Sequence, residues 1–525
     1  MARPHAFPTH GKRPIAFTRG DPASFHCRFR RPPRIAKFSL TPATRGRATV
    51  LLWALAFLAL PACTMVGPDF VRPDAKVQSQ WTPADGKSAI TPQAASADTF
   101  WAGFGDQLLP KLLQLAVERS PTLASTAETV IQAQQILRSD QGNSLPVISL
   151  NPSSNYSQPD IASRLKGKQG DSVTTQVLGQ LSWEVDLWGK WRRLLEADRA
   201  NVQMSQAMLA AARVSLEASV ASAYCNIRVF ERRIAVANAN LVQQAENMRI
   251  AGVRYRLGAT SELDLRQAQT QYEQTKSQIP GLRNSLAQYQ HALSVLLGET
   301  PDYFARTFAA GTALPDAPGV LPLGAPRDLL RRRPDVLQAE FAAAAQSAHI
   351  GQSEAALYPS FTLSGAIGYS RVTGGGPLFS WDNRSLSYGA GINLPIFDRG
   401  RLLAQVKVQD SLFKQSVLAY QNQVLKAQQD VEDALAAIET GNSQLADLQR
   451  ADSAAARTSA LALLQYRSGQ TDYTTVSSAE QAHLQTSDTV VQVQGGVLQA
   501  YISAYRALGG GWDPVVPASV GGNTQ

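Results

Sequence analysis

The residues of this 525-residue chain that could do chemistry are few. It has three cysteines, Cys27, Cys63 and Cys225. A disulfide scaffold needs pairs, and a zinc site needs clustered Cys and His; neither pattern is present. Cys63 stands apart from the other two. It follows Leu60-Pro61-Ala62, which closes the apolar stretch Val50–Leu60 behind the basic residues Arg45 and Arg47. A charged flank, a short apolar core and a small-residue exit form a secretory signal. A cysteine that becomes the first mature residue offers its thiol for lipid attachment. Cys225, within Tyr224-Cys225-Asn226-Ile227, reads as a small core residue. Downstream of the signal, His291, His349 and His483 are isolated in helical sequence, with no HExxH, GxSxG or phosphate loop. We therefore expect no enzyme, no metal and no cofactor, only a covalent lipid on Cys63.

The charge balance supports a cleaved leader. Residues 1–62 carry eleven Lys and Arg against one Asp, whereas the remainder holds 39 basic and 40 acidic residues. A sequence pI near 9.4 would otherwise suggest a nucleic-acid partner. The basicity lies almost wholly in the leader, so nucleic acid is not expected. No run of about 18 apolar residues is present that would make a helical membrane span.

The elements that position these residues are duplicated. Ser120-Pro121 recurs as Arg333-Pro334, Leu145-Pro146 as Tyr358-Pro359, and Tyr255-Arg256-Leu257-Gly258 as Tyr466-Arg467-Ser468-Gly469. Each half reads as helix, two strands, long helix, tight glycine turn and long helix. The heptad stepping of Leu265, Ala268, Tyr272, Thr275, Ile279 and Leu282, continued to Leu296, predicts a supercoiled seam, locally bent at Pro280. The preceding helix, from Gly189 to about Arg254, would be a rod of about 90 Å at 1.5 Å per residue.

Four strands alternate. Odd positions are apolar in 176–187 (Val177, Leu181, Trp183, Val185, Leu187) and in 361–370; even positions are apolar in 386–396. Residues 146–156 fit less well. Alternation over about ten residues suits a strand with one face to lipid and one to water, and also a half-buried soluble sheet. Four strands cannot close a barrel, for which about eight is the practical minimum. An open edge is not tolerated in lipid, so a membrane-spanning sheet requires several copies of the chain.

These residues resemble the TolC-like outer-membrane factors, in particular the NodT branch of lipoproteins that serve RND efflux pumps. The resemblance rests on Val66-Gly67-Pro68-Asp69-Phe70 behind Cys63, Phe100-Trp101, Trp183 to Lys190, Leu329 to Val336, and Tyr255 to Ser261. It runs from Cys63 to about Leu508. It implies an α+β membrane protein: a homotrimer with a 12-stranded β-barrel, four strands from each chain, continued by a long periplasmic α-helical barrel. It also implies an outer-membrane, lipid-anchored exit duct for drugs or other small toxic compounds, partnered by a periplasmic adaptor and an inner-membrane RND pump. The same fold serving type I protein secretion is an alternative. A periplasmic coiled-coil lipoprotein without a pore is another, but it has no use for two alternating strand pairs.

The domain reading is a leader at 1–62 with its signal at 44–62, and a lipid-anchored extended tether at 63–105. The first repeat follows at 106–297, a Pro/Gly-rich connector at 298–326, the second repeat at 327–509, and a disordered tail at 510–525. By resemblance, Thr64 after Cys63 is compatible with sorting to the outer membrane. The resemblance likewise implies that the turns at Gly258 and Gly469 are the periplasmic tips, with Arg254, Arg256, Ser261, Arg467 and Thr471 as candidate adaptor contacts. Relatives often carry an aspartate near the start of the last long helix. Here the stretch is Ser477-Ser478-Ala479-Glu480, so Asp472 or Glu480 would have to replace the carboxylate that Ser478 lacks. Asp264, in the equivalent region of the first repeat, is a further gate candidate. Glu184 and Asp186 either lend the lumen an acidic character or pair with Lys190 and Arg192.

Overall fold

Four antiparallel strands and two very long helical hairpins make up most of this chain, seen in a computed structural model. The structure describes residues 65–78, 81, 90–91, 97–158, 171–311, 313–318, 321–322 and 332–510. The leader, Cys63 and the tail beyond Gly510 lie outside the described residues.

The first half runs α1 (Leu108–Arg119), α2 (Pro121–Asn143), β1 (Val147–Ser157), β2 (Ser172–Val185), α3 (Lys190–Arg256) and α4 (Glu262–Leu296). The second runs α5 (Pro334–Ala355), β3 (Ser360–Val372), β4 (Arg384–Asn393), α6 (Arg401–Arg467) and α7 (Tyr473–Ala507). Helices α3 and α6 have 67 residues each, and α4 and α7 have 35 each. At 1.5 Å per residue the longer pair are struts of about 100 Å. Their starts repeat the same device. Gly189 and Gly400 are N-caps at φ +81° and +80°, a left-handed conformation that glycine adopts without a Cβ penalty. Pro280 lies within α4, which continues past it to Leu296.

The sheet order is β1-β2-β3-β4, antiparallel throughout. Its register gathers the alternating residues of all four strands. Ile148 faces Leu181, Leu181 faces Gly365 and Gly365 faces Tyr388; the next row on that face is Leu150, Gly179, Ile367 and Leu386. The row between them, on the other face, is Ser149, Gln180, Ala366 and Ser387. One face is apolar and the other small and polar. The strand expected over 146–156, whose own alternation is weak, pairs with β2 over the eleven positions Val147–Ser157. Strand β4 ends at Asn393, short of the expected Ile396.

The main core lies where α1, α3, α4 and α7 meet. It holds Phe104, Leu109, Leu112, Tyr224, Ile227, Leu293 and Tyr505. Cys225 belongs to this core as expected, and burial pushes its thiol up to about 12. Two segments read as connecting chain also contribute. Phe100 and Trp101, from the region read as an extended tether, are buried against Tyr505, with ring centroids 4.9 and 4.4 Å away. Phe304, from the Pro/Gly-rich connector, is buried in the same core.

The tether reading also needs correction at its N-terminal end. Residues 65–78 form a strap along the helices. Val66 N–H donates to the Trp188 carbonyl at 3.1 Å, Arg72 pairs with Glu340, and Ala75 and Val77 pack on Val336, Tyr420 and Val424. The side chain of Gln428 bonds both the Gln78 N–H and the Lys76 carbonyl, at 2.9 Å each. A Pro- and Ser-rich composition sets only the intrinsic stiffness of a segment; docking depends on what the folded surface offers.

Arg333 explains the Arg333-Pro334-Asp335 motif. Pro334 takes the first turn of α5, where its missing N–H is harmless. The buried guanidinium of Arg333 reaches the carbonyls of Ala427 and Ala507 and the carboxylates of Asp335 and Asp430. One side chain thus ties α5 to α6 and to the end of α7.

Candidate functional site

Two regions carry the residues that matter for a duct: the strand-to-helix junction and the turns at the far ends of the hairpins. At the junction, Lys190 Nζ lies 2.9 Å from Glu184 and Arg192 Nε 3.3 Å from Asp186. Of the two expectations for these carboxylates, pairing is what the geometry displays. Each pair stitches the end of β2 to the first turn of α3. Beside them, Trp188 stacks on Tyr358 at 4.7 Å and donates its indole N–H to the Pro359 carbonyl at 2.8 Å. Aromatic rings with a polar tip suit the boundary between apolar sheet and water.

The turns fall where the glycines predict. Gly258 and Gly469 have φ of +70° and +76°. Arg256, Gly258 and Ser261 are exposed, as are Arg467 and Gly469, while Thr471 is half-buried and bonded to Thr475 at 3.0 Å. Arg254 is committed elsewhere. It donates to the Tyr466 carbonyl, and its guanidinium sits 4.5 Å above the Tyr466 ring. It holds the two hairpins together and is a poor candidate for a free adaptor contact.

The gate candidates separate in the same way. Asp472 is the exposed N-cap of α7 and accepts from Thr475 N–H at 3.1 Å. Ser478 is exposed and bonds back to the Thr474 carbonyl at 2.9 Å. Asp264 is buried, accepting from Thr260 and, at 3.4 Å, from the Tyr466 hydroxyl. Glu480 is buried at 6 % exposure and accepts from Asn247. A side chain buried within its own chain cannot line a lumen, so the reading of Asp264 and Glu480 as lumen carboxylates is corrected. Burial pushes the Glu480 carboxyl up to about 7, against the opposing Asn247 amide.

Two tyrosines at the tips were not singled out from the sequence. Tyr466 and Tyr473 meet edge to face at 5.4 Å in a small core with Ala251, Ala268, Val476 and Ala479. Burial raises both hydroxyls above the usual tyrosine range. Tyr466 lay in the repeated Tyr-Arg motif, but so did Tyr255, which is exposed.

Among the described residues no group of His, Cys, Asp and Glu could hold a metal, and no helix is long and apolar enough to cross a membrane. A four-stranded sheet with one apolar face, continued by paired struts ending in turns, defines an outer-membrane channel protein of the TolC-like fold. The model of the family described as outer membrane efflux protein matches residues 112–299 and 325–510. The chain belongs to that family, and it is an outer-membrane efflux component extending into the periplasm. The probable outer membrane lipoprotein SilC of Salmonella typhimurium is 29% identical over 86% of this chain and 96% of its own. Nodulation protein T of Rhizobium leguminosarum bv. viciae is 29% identical over 73% of this chain and 77% of its own, in keeping with the NodT resemblance. The outer-membrane channel OprN superposes with a TM-score of 0.77 at 26% identity, over 85% of this chain and 99% of its own.

Proposed function

We propose that three copies of this chain close one passive duct through which an RND-type inner-membrane pump expels drugs or other small toxic compounds, by way of a periplasmic adaptor. The observation that carries this reading is the sheet. One face is apolar in every strand, yet β1 and β4 each have an edge with no partner among the described residues. Lipid forbids such edges, and four strands are too few to close; three copies supply twelve. The helices support it too, because two hairpins per chain make twelve struts around the same axis. The exposed tip residues Arg256, Ser261 and Arg467 are available to an adaptor.

A lipid on Cys63 fits the same arrangement. Cys63 lies two residues before Met65, where the strap begins, and Val66 is bonded at the Trp188 junction. Acyl chains there would enter the membrane at the level where the sheet meets the struts, and several chains are needed for firm anchoring. No step in this reading consumes energy in the duct itself; the pump supplies it.

Heat-modifiable mobility of a trimer on gels, together with single-channel conductance in planar bilayers, tests the duct. A monomer without conductance overturns it. Palmitate labelling of wild type beside Cys63→Ala tests the anchor, and unchanged labelling in the variant counts against it.

A further inference from the structure

Above the periplasmic turns, where α3, α4 and α7 meet, lie buried polar groups to which a passive duct gives no task. Glu480 on α7, Asn247 and Gln244 on α3, and Thr275 on α4 are all more than nine-tenths buried. The Asn247 amide donates to Oε1 of Glu480. Among the described residues Oε2 has no hydrogen-bond partner, and neither amide atom of Gln244 nor the hydroxyls of Thr275 and Tyr473 has one. A polar cleft of about 600 Å³ opens alongside, with Gln271, Thr275 and Gln481 in its wall.

Such a corner tolerates a neutral acid far better than an ion. A buried carboxylate needs a counter-charge or several donors, and Glu480 has one amide. The titratable and charged groups facing this corner are Tyr473 on its own helix, Tyr466 on α6, Asp264 on α4 and Arg254 on α3, and the adjoining cleft is walled by the ion pair of Arg233 on α3 with Asp488 on α7, 2.7 Å apart. Arg254 is held on Tyr466, and Asp264 accepts from Thr260. Nearer the middle of α7, His483 lies 3.9 Å from Asp452 of α6.

We infer that Glu480 is a protonation-dependent latch between the two hairpins of each chain. Neutral, it seats α7 against α3 and α4. Ionised, it draws water in through the adjoining cleft and loosens the seam between the hairpins, which widens the tip of the duct. The inference rests on the duct reading above. Its sign follows from burial, which raises the carboxyl from 4.5 to about 7. The seated form binds the proton more tightly than the loosened form. Its stabilisation is complete below the ordinary carboxylate pKa and is lost as pH rises through about 7.

Single-channel recording of the purified full-length protein, with hydrogen exchange on the same samples, tests this. Between about pH 5.5 and about pH 8.5, open probability and exchange over 244–251 and 473–482 should rise at least about tenfold, as a carboxyl that binds its proton more tightly seated than loosened requires. Glu480→Gln should stay at the low-pH value throughout. Glu480→Met, neutral and similar in size, should do the same if the glutamine variant fails to fold. His483→Gln should keep the wild-type response. Neutral variants that follow the wild-type profile overturn the latch, as does a response that vanishes in His483→Gln. If no protein conducts at any pH, the duct reading fails instead, and the exchange profile still decides the latch.

Discussion

The guanidinium of Arg193, on the first turn of α3, lies 2.9 Å from the carboxylate of Asp69 in the N-terminal strap. Arg193 is the largest fully buried side chain among the described residues, and it also donates to the carbonyls of Val66 and Gly67, at 3.0 and 2.9 Å, and to Glu196 at 2.7 Å. Arginine suits this position because its planar fork satisfies several acceptors at once. Residue Asp69 is itself mostly exposed, so the carbonyls and the buried position of the guanidinium dominate the energetics. Replacing Arg193 by methionine leaves those carbonyls without their donor and should cost about 1–3 kcal/mol. The strap should become sensitive to protease between residues 65 and 78, while Asp69→Asn stays near wild type. Limited proteolysis and thermal melting check both; an Arg193→Met strap as resistant as wild type would remove the clamp from consideration.

Gly351 lets the strap approach α5. A Cβ built there would meet Arg193 Nε and the Val66 carbonyl oxygen, each at 2.8 Å, and one built on Gly67 would meet the Gly351 backbone. Gly351→Ala should therefore destabilise by about 1–3 kcal/mol, the usual range for overpacking, although alanine is the better helix former. A stabilised variant in thermal or denaturant unfolding would contradict this packing.

Equivalent positions of the two repeats should respond differently. Asp472 caps α7 by accepting from Thr475 N–H, whereas Ser261, at the start of α4, makes no side-chain capping bond. Asp472→Ala should cost about 1 kcal/mol, and Ser261→Ala close to nothing. Hydrogen exchange in the first turns of α4 and α7 distinguishes them, and equal effects would mean that the cap assignment is wrong.

A second titration sits higher in the struts. Asp198 on α3 is buried with one carboxylate oxygen unpartnered, and it faces Asp140 of α2 and His349 of α5. Burial first, and then the neighbouring Asp140, raise its carboxyl from 3.8 to about 6. A folded pKa above the ordinary value means that stability falls as pH rises from about 4 to about 6. Asp198→Asn should remove that fall and be more stable than wild type at pH 8. Parallel melting curves for the two proteins across that range would refute the paired-carboxylate account.

Much of this architecture could be read along the chain, because helical and strand periods and turn glycines are local properties. The 3,4 stepping marked α4, the glycines marked both turns, and the duplication implied equal struts that the helices match residue for residue. Alternation marked three strands directly, and the repeat implied the fourth, whose pairing with β2 the register displays. Burial was another matter. Tyr255 and Tyr466 occupy the same place in the repeat, yet one is exposed and the other fully buried, because α7 and Arg254 enclose only the second. Glu480 similarly looked like a carboxylate free to line a pore, yet it is buried and bonded to Asn247. The sequence by itself determined the elements, their order and the repeat. Only the tertiary structure decided which of two duplicated side chains turns inward, because that depends on helices hundreds of residues away.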